Sequence, residues 1–369
     1  MSGDWISGRL EDVCHVYQPE TISQKSLQDG PYPVYGANGQ IGSHAKFNHE
    51  EPELLLGCRG SCGFVHFSQP CAWINGNSMV VRPLVGKIDV NYLAYALRGG
   101  IDISAAITGA AQPQITRSSL MPIAIRYPRS LSEQHRIVAL LDEAFASIAT
   151  AKANAEKSLR NAREVMDCYM QSVFSLESDV VELGAVLKTV TGSTPPKSET
   201  HYYGEFMPFV KPPELCDGEL ASAGDGLTEL GATVARILPP QSVLVSCIGN
   251  LGKVGLNIVP VAFNQQINAI LPETSKAVPK FMFFQALSRP FKEQLENLAS
   301  GTTVPIVNKS KFNGIRVTVP SIQKQELIVE RLEVLRNEIV RLESIYTRKL
   351  ATLDELKQSL LQRAFTGQL

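Results

Sequence analysis

Four side chains in the first part of the chain have the types and closeness of a metal site: Cys58, Cys62, His66 and Cys71. A zinc ion needs thiolate and imidazole donors meeting at ~2.0–2.3 Å from one point. Residues 63–67 (Gly-Phe-Val-His-Phe) read as a strand. With Cys62 and His66 both on it, they would stand roughly 13 Å apart, so core and loop thiols account for the cluster better than zinc does. Seven cysteines without a C-x-x-C pair indicate reduced thiols and no disulfide framework. The other motifs fail on spacing. Gly57, Gly60 and Gly63 do not form a dinucleotide fingerprint, and Gly249 to Val254 lacks the spacing and the Ser/Thr of a phosphate loop. Lys211-Pro212-Pro213-Glu214 shares only its prolines with the Asn/Asp-Pro-Pro-aromatic tetrad of adenine methyltransferases. No nucleophile–base pair stands out, so the chain is expected to do no chemistry alone.

The remaining chemistry is that of binding, and the charge balance restricts it. A net charge of −1, with 44% hydrophobic and 19% charged residues, describes a folded domain protein without a basic tail. A nucleic-acid ligand would require cations sorted onto one face, or a partner contributing phosphate contacts. No apolar run reaches membrane-spanning length and Met1 to Trp5 lacks the marks of a signal peptide, so a cytoplasmic location is expected.

The elements that position any site are set by an internal repeat. Ser130-Leu131-Ser132-Glu133-Gln134 returns as Ser321-Ile322-Gln323-Lys324-Gln325, and Gln171 to Ser175 as Gln362 to Thr366. Upstream, Gly109 to Ser118 aligns with Gly301 to Ser310, Tyr92 to Leu97 with Met282 to Leu287, and Cys58-Arg59-Gly60 with Cys247-Ile248-Gly249. The offset drifts by single residues, as loop insertions between kept elements would produce. We expect an α+β fold of two tandem globular domains, 1–130 and 179–320, each followed by a long helix, 131–178 and 321–369. Strands are expected at 53–56, 79–81, 123–125, 242–246, 267–270 and 315–319, with short helices at 92–97 and 281–287.

Both long helices carry heptad seams: Ile137, Leu141, Ala144, Ile148, Ala151, Ala155, Ser158, Ala162, Val165 and Tyr169 in the first, and Ile328, Leu332, Leu335, Ile339, Leu342, Tyr346, Lys349, Leu353, Leu356 and Leu360 in the second. Each helix is roughly 66 Å long, and Ser130 with Glu133 forms a candidate capping box. An alanine-rich seam complements a leucine-rich one. Antiparallel pairing is therefore expected, with pseudo-two-fold symmetry, Ala144 near Leu353, Ala151 near Tyr346 and Ala162 near Leu335. Ser158 and Lys349 are the polar positions that would fix register. Zippers between two copies are the alternative.

Over essentially its whole length the sequence resembles the specificity subunits of type I restriction–modification systems. The resemblance rests on Tyr32-Pro33-Val34-Tyr35-Gly36-Ala37-Asn38-Gly39-Gln40-Ile41-Gly42, on Thr191 to Pro196 with Tyr202-Tyr203-Gly204, and on Leu356 to Leu361 with Phe365-Thr366-Gly367. It implies that each domain reads one half of a bipartite asymmetric DNA site while the helices set the gap. It also implies two modification subunits that methylate adenine with S-adenosylmethionine, and restriction subunits using ATP and magnesium; this chain would hold none of those cofactors. Base readout needs Arg or Lys toward guanine and Asn or Gln toward adenine. The candidates are Asn38, Gln40, Arg59, Ser61, Asn75, Asn77, Gln112, Gln114 and Arg117 in the first domain. In the second they are Lys197, Lys211, Asn250, Lys253, Asn264, Gln265, Gln266, Thr302, Thr303 and Lys309. The same scaffold in a methylation-only or phage-defence complex, or a coiled-coil scaffold binding proteins, are the rival readings.

Overall fold

Phe365 and Phe174 occupy the same position of the repeat, near the ends of the two long helices, and both are buried. A computed structural model describes residues 4–23, 27, 29–109, 112–175, 180–301 and 303–369. It divides the chain into two units, Met1–Ala155 with Thr347–Leu369, and Glu156–Tyr346. Each long helix therefore starts in one unit and ends in the other. Residues 347–369 group with the first domain, where antiparallel pairing of the two helices brings them.

In the first unit a four-stranded sheet has the order 14–17, 78–83, 54–57, 65–67. A three-stranded sheet has the order 39–44, 32–36, 73–74, with 32–36 parallel to 73–74. Strand 5–9 pairs antiparallel with 124–128, the strand that feeds the first long helix. The second unit repeats this plan. Its main sheet has the order 189–191, 267–270, 243–246, 254–257, with 218–220 added at the edge. A second sheet pairs 203–210 parallel with 261–263, and 180–182 pairs antiparallel with 316–318 before the second long helix. Leu54, Leu55, Leu56, Val243, Leu244 and Val245 are at most 2% exposed, as unbroken apolar runs in central strands require. The expected strands and short helices all form within a few residues of their predicted limits.

The long helices span Leu131–Val173 and Ile322–Thr366. Their starts are held by a device that the capping rules did not anticipate. Gln134 is fully buried: its Oε1 accepts the Asp89 N–H (2.7 Å), and its Nε2 donates to the carbonyls of Pro128 (2.8 Å) and Lys87 (3.1 Å). Gln325, also fully buried, accepts the Val278 N–H (2.8 Å) and donates to Pro320 (2.7 Å) and Lys276 (3.2 Å). Each glutamine thus ties the helix start to the loop before a short helix and leaves none of these backbone groups unpaired. Glu133 does not complete a capping box; Arg136 holds its carboxylate at 2.8 and 2.7 Å.

Within each unit the two helix segments run antiparallel. In the first, Arg136 reaches the Leu369 carbonyl (3.0 Å), Lys357 lies 5.2 Å over the Phe145 ring, and Lys152 pairs with Asp354. In the second, Arg163 pairs with Glu343 (2.6 Å). The expected partners Ala144–Leu353, Ala151–Tyr346 and Ala162–Leu335 are displaced from this ladder by roughly two turns. Alanine-against-leucine complementarity recurs every heptad and so does not choose among registers. The anchors do: the Phe365 ring packs tilted against Tyr92 (4.8 Å between centroids) and Phe174 against Phe281 (5.3 Å).

Of the seam residues, Ile137, Leu141, Ile148, Ile328 and Leu332 are buried, and Tyr169, Leu335, Ile339, Leu342, Tyr346, Leu353 and Leu360 are half-buried. Ser158 and Lys349 are exposed, as is Leu356 (45%), while Leu361 and Ala364 fall inside instead. A strict heptad frame drifts by ~20° per repeat against a straight helix, enough over four repeats to move the buried face.

Candidate nucleic-acid interface

Both units carry one glycine hairpin built by the same backbone bonds. In the first, Cys58 to Phe64 joins strands 54–57 and 65–67, the Gly57 N–H donating to Phe64 O (2.7 Å) and the Gly63 N–H to Gly57 O (2.8 Å). In the second, Cys247 to Lys253 joins 243–246 and 254–257, with Ser246 N–H to Lys253 O (2.9 Å) and Gly252 N–H to Ser246 O (3.0 Å). Gly60 and Gly249 both sit at φ +77°, which side-chain-bearing residues rarely adopt.

Other loops close around each hairpin in parallel fashion. The Ile115 N–H donates to Cys58 O (2.9 Å) and the Val307 N–H to Cys247 O (2.8 Å). Arg59 bridges Gln114, and Ile248 bridges Ile306. The Cys58 N–H bonds Asn77 O (2.9 Å) and the Cys247 N–H bonds Gln266 O (2.8 Å). A side chain at Gly57 would collide with the carbonyls of Ala37 and Ser61, so the 37–39 turn abuts the same hairpin.

This geometry brings Asn38, Arg59, Ser61, Asn77, Gln112 and Gln114 around one loop cluster. All are exposed except the half-buried Asn77. Exposed Gln40 follows on the 32–44 hairpin, and exposed Arg117 opens helix 117–120 beside Glu11 and His15. Asn75 is an exception: at 4% exposure it is a turn residue, donating to the Ile22 carbonyl (2.9 Å). As placed it presents no edge to a base.

In the second unit Asn250, Gln265 and Thr303 are exposed and Lys253 and Gln266 half-buried, all on or beside the equivalent loops. Exposed Lys309 opens helix 309–313, the counterpart of Arg117, and Lys197 is exposed on the 192–199 loop. Asn264, like Asn75, is turned inward (7% exposed); it accepts the Gln266 N–H (3.1 Å) and donates to Gln266 Oε1 (2.9 Å). Lys211 is half-buried, ion-paired with Asp225 and poised over the Phe209 ring. Thr302 lies outside the described residues.

In the cysteine–histidine cluster Cys58 is a buried core thiol and Cys62 a loop thiol. Cys62 is in the hairpin, off strand 65–67, with its thiol toward the carbonyls of Pro113 (3.1 Å) and Cys58 (3.4 Å). Burial pushes the Cys58 thiol up to about 11. The His66 ring lies between Tyr35 and Phe64, neither nitrogen has a partner, and burial followed by the Arg98 charge lowers its pKa. Among the described residues no three His, Cys, Asp or Glu side chains converge on a metal geometry.

Two tandem copies of one loop-bearing scaffold match a known family. The profile of the type I restriction modification DNA specificity domain fits residues 2–159 and again 176–349. The chain belongs to the type I restriction–modification DNA specificity family. DNA sequence recognition is the work of such a specificity subunit, and two tandem domains fit recognition of a split site.

Among its relatives, the HindI specificity subunit of Haemophilus influenzae is 30% identical over 190 residues, 49% of this chain and 39% of that one. The MjaIX subunit of Methanocaldococcus jannaschii is 23% identical over 86% of this chain and 77% of its own length. The EcoDI subunit of Escherichia coli is 22% identical over 99% and 89%. The fold matches a chain solved in a study of complex assembly and conformational transition of the type I R-M system, with TM-score 0.80, 16% identity and coverage of 100% and 99%. It also matches the HsdS subunit of Thermoanaerobacter tengcongensis, with TM-score 0.61, 16% identity and coverage of 99% and 97%.

One exposed group in this specificity subunit is apolar, and polar residue types do not mark it in the sequence. Val304 (46% exposed), Ile306 (40%) and half-buried Ile248 stand where the first domain has Gln112, Gln114 and Arg59. The repeat offsets of 192 and 189 already paired these positions.

Proposed function

We propose that each domain reads one half of a bipartite DNA sequence through its glycine-hairpin loop cluster, and that the paired long helices set the length of the unread gap. The observation that carries this reading is the duplicated cluster: equal backbone bonds hold unequal side chains, as two different half-sequences require. Phosphate contacts from the lysines and arginines around the loops would supply affinity and register. The near-neutral charge leaves a share of those contacts to partner subunits.

Those partners are methyltransferase and restriction subunits, in keeping with the family, and the proposed assembly carries two modification subunits per chain. The second helix offers a surface for one: Leu327, Val334 and Ile345 are all exposed, and their 7- and 11-residue spacing keeps them on one helix face. S-adenosylmethionine, ATP and magnesium belong to the partners in this scheme, the chain itself is non-catalytic, and the complex works in the cytoplasm. Among the described residues no helix is long and apolar enough to cross a membrane.

The test is a chain with one heptad deleted from each long helix, expressed with its modification subunit and read by methylation sequencing. The gap should change length with both half-sequences kept. An altered half-sequence with an unchanged gap would refute the spacing role.

A further inference from the structure

At three positions that the backbone makes equivalent, the two loop clusters exchange polar side chains for apolar ones. Arg59 and Gln114 face each other across one bridge, with Gln112 two residues away; Ile248 and Ile306 face each other across the matching bridge, with Val304 two residues away. Packing does not account for the exchange. Val304 and Ile306 keep 46% and 40% of their surface in solvent, and both stand on the loop whose next residue, Val307, is buried. Apolar side chains held outward on a hydrogen-bonded loop gain most from meeting an apolar ligand group. On the major-groove edge of duplex DNA the one such group is the thymine C5-methyl, whereas guanine and adenine present the polar edges that Arg and Gln recognise.

We propose that the second domain recognises thymine methyl groups through Ile248, Val304 and Ile306, while the first domain reads purine edges through Arg59, Gln112 and Gln114. This rests on the DNA-reading function above and adds what each half-site contains: at least one thymine contacted by its methyl group in the half read by the second domain, and purines contacted by hydrogen bonds in the other.

The probe is the complex with its modification subunits, on synthetic duplexes of its own methylated sequence. Replacing a thymine by deoxyuridine removes only the methyl group; replacing it by 5-iodouracil keeps the bulk and allows photocrosslinking. Deoxyuridine in one half should weaken binding about fourfold per contacted methyl. Iodouracil at the same positions should retain affinity and crosslink to peptides spanning 248 or 303–307. The I306Q variant should lose the deoxyuridine effect, whereas Q114A should keep it.

A half-site without thymine, uniform indifference to deoxyuridine, or crosslinks confined to the first domain would overturn the proposal while leaving split-site recognition intact. Loss of complex assembly in I306Q, with DNA affinity of the assembled fraction unchanged, would also overturn it, by assigning the patch to a protein partner. Absence of any specific binding by the unaltered complex would instead sink the DNA-reading function itself.

Discussion

The loop cluster of the first domain presents Arg59, Ser61 and Gln114; that of the second presents Ile248, Asn250 and Ile306 on a backbone bonded in the same way. The residues that agree between them are Cys58 and Cys247, Gly60 and Gly249, Gly63 and Gly252, and the buried Gln134 and Gln325. Division of labour follows. Residues whose backbone conformation or buried polar groups leave no freedom hold the scaffold, and the exposed positions between them vary without disturbing it.

The largest effects should come from the anchors, and they should appear in opposite units. Phe365→Ala and Phe174→Ala each remove a buried ring at the end of a long helix, for a loss of about 3–5 kcal/mol. Hydrogen exchange should rise in residues 4–155 for the first variant and in 180–346 for the second. Equal loosening of both units by either variant would break the comparison.

Next come the glutamines. Gln134→Leu or Gln325→Leu strands one N–H and two carbonyls inside the protein. Denaturant titration should show losses of roughly 2–4 kcal/mol, similar for both, since each unpaired buried group costs about 1–3 kcal/mol and relaxation recovers part. A large loss at one site and none at the other would show that the two helix starts are not equivalent.

A smaller, pH-dependent effect should be confined to the first domain, where burial lowers the pKa of both His66 and His49. A histidine held neutral in the fold binds a proton more readily when unfolded. Its stabilising contribution is therefore present above the ordinary histidine pKa of ~6.5 and is lost as pH falls through the lower folded value. The melting temperature should fall on acidification below about pH 6.5, and His66→Phe should flatten that fall; an unchanged pH profile in the variant would remove His66 from the account. Smallest of all, Lys152→Ala should change stability by less than ~1 kcal/mol, because its partner Asp354 is exposed to water.

Much of this was legible in the sequence because the repeat carries it. The strands, the short helices and both long helices follow from periodicity seen twice. The illegible parts have specific causes. Helix register escaped because the alanine–leucine match recurs every seven residues, whereas the anchors that choose it are contacts between segments more than 100 residues apart, Phe365 on Tyr92 and Phe174 on Phe281. Asn75 and Asn264 are buried turn residues that the sequence does not separate from surface ones, because asparagine serves turns as readily as ligands. Ile248, Val304 and Ile306 went unnoticed because apolar residues in a sequence suggest a core until their exposure is known.

The claim that two unlike readers sit on one chain is tested most directly by methylation sequencing of a strain that expresses this chain with its modification subunit. One split motif is expected, its two halves different in sequence and its modified adenines on both strands. A palindromic motif, an uninterrupted one, or no motif at all would contradict the account.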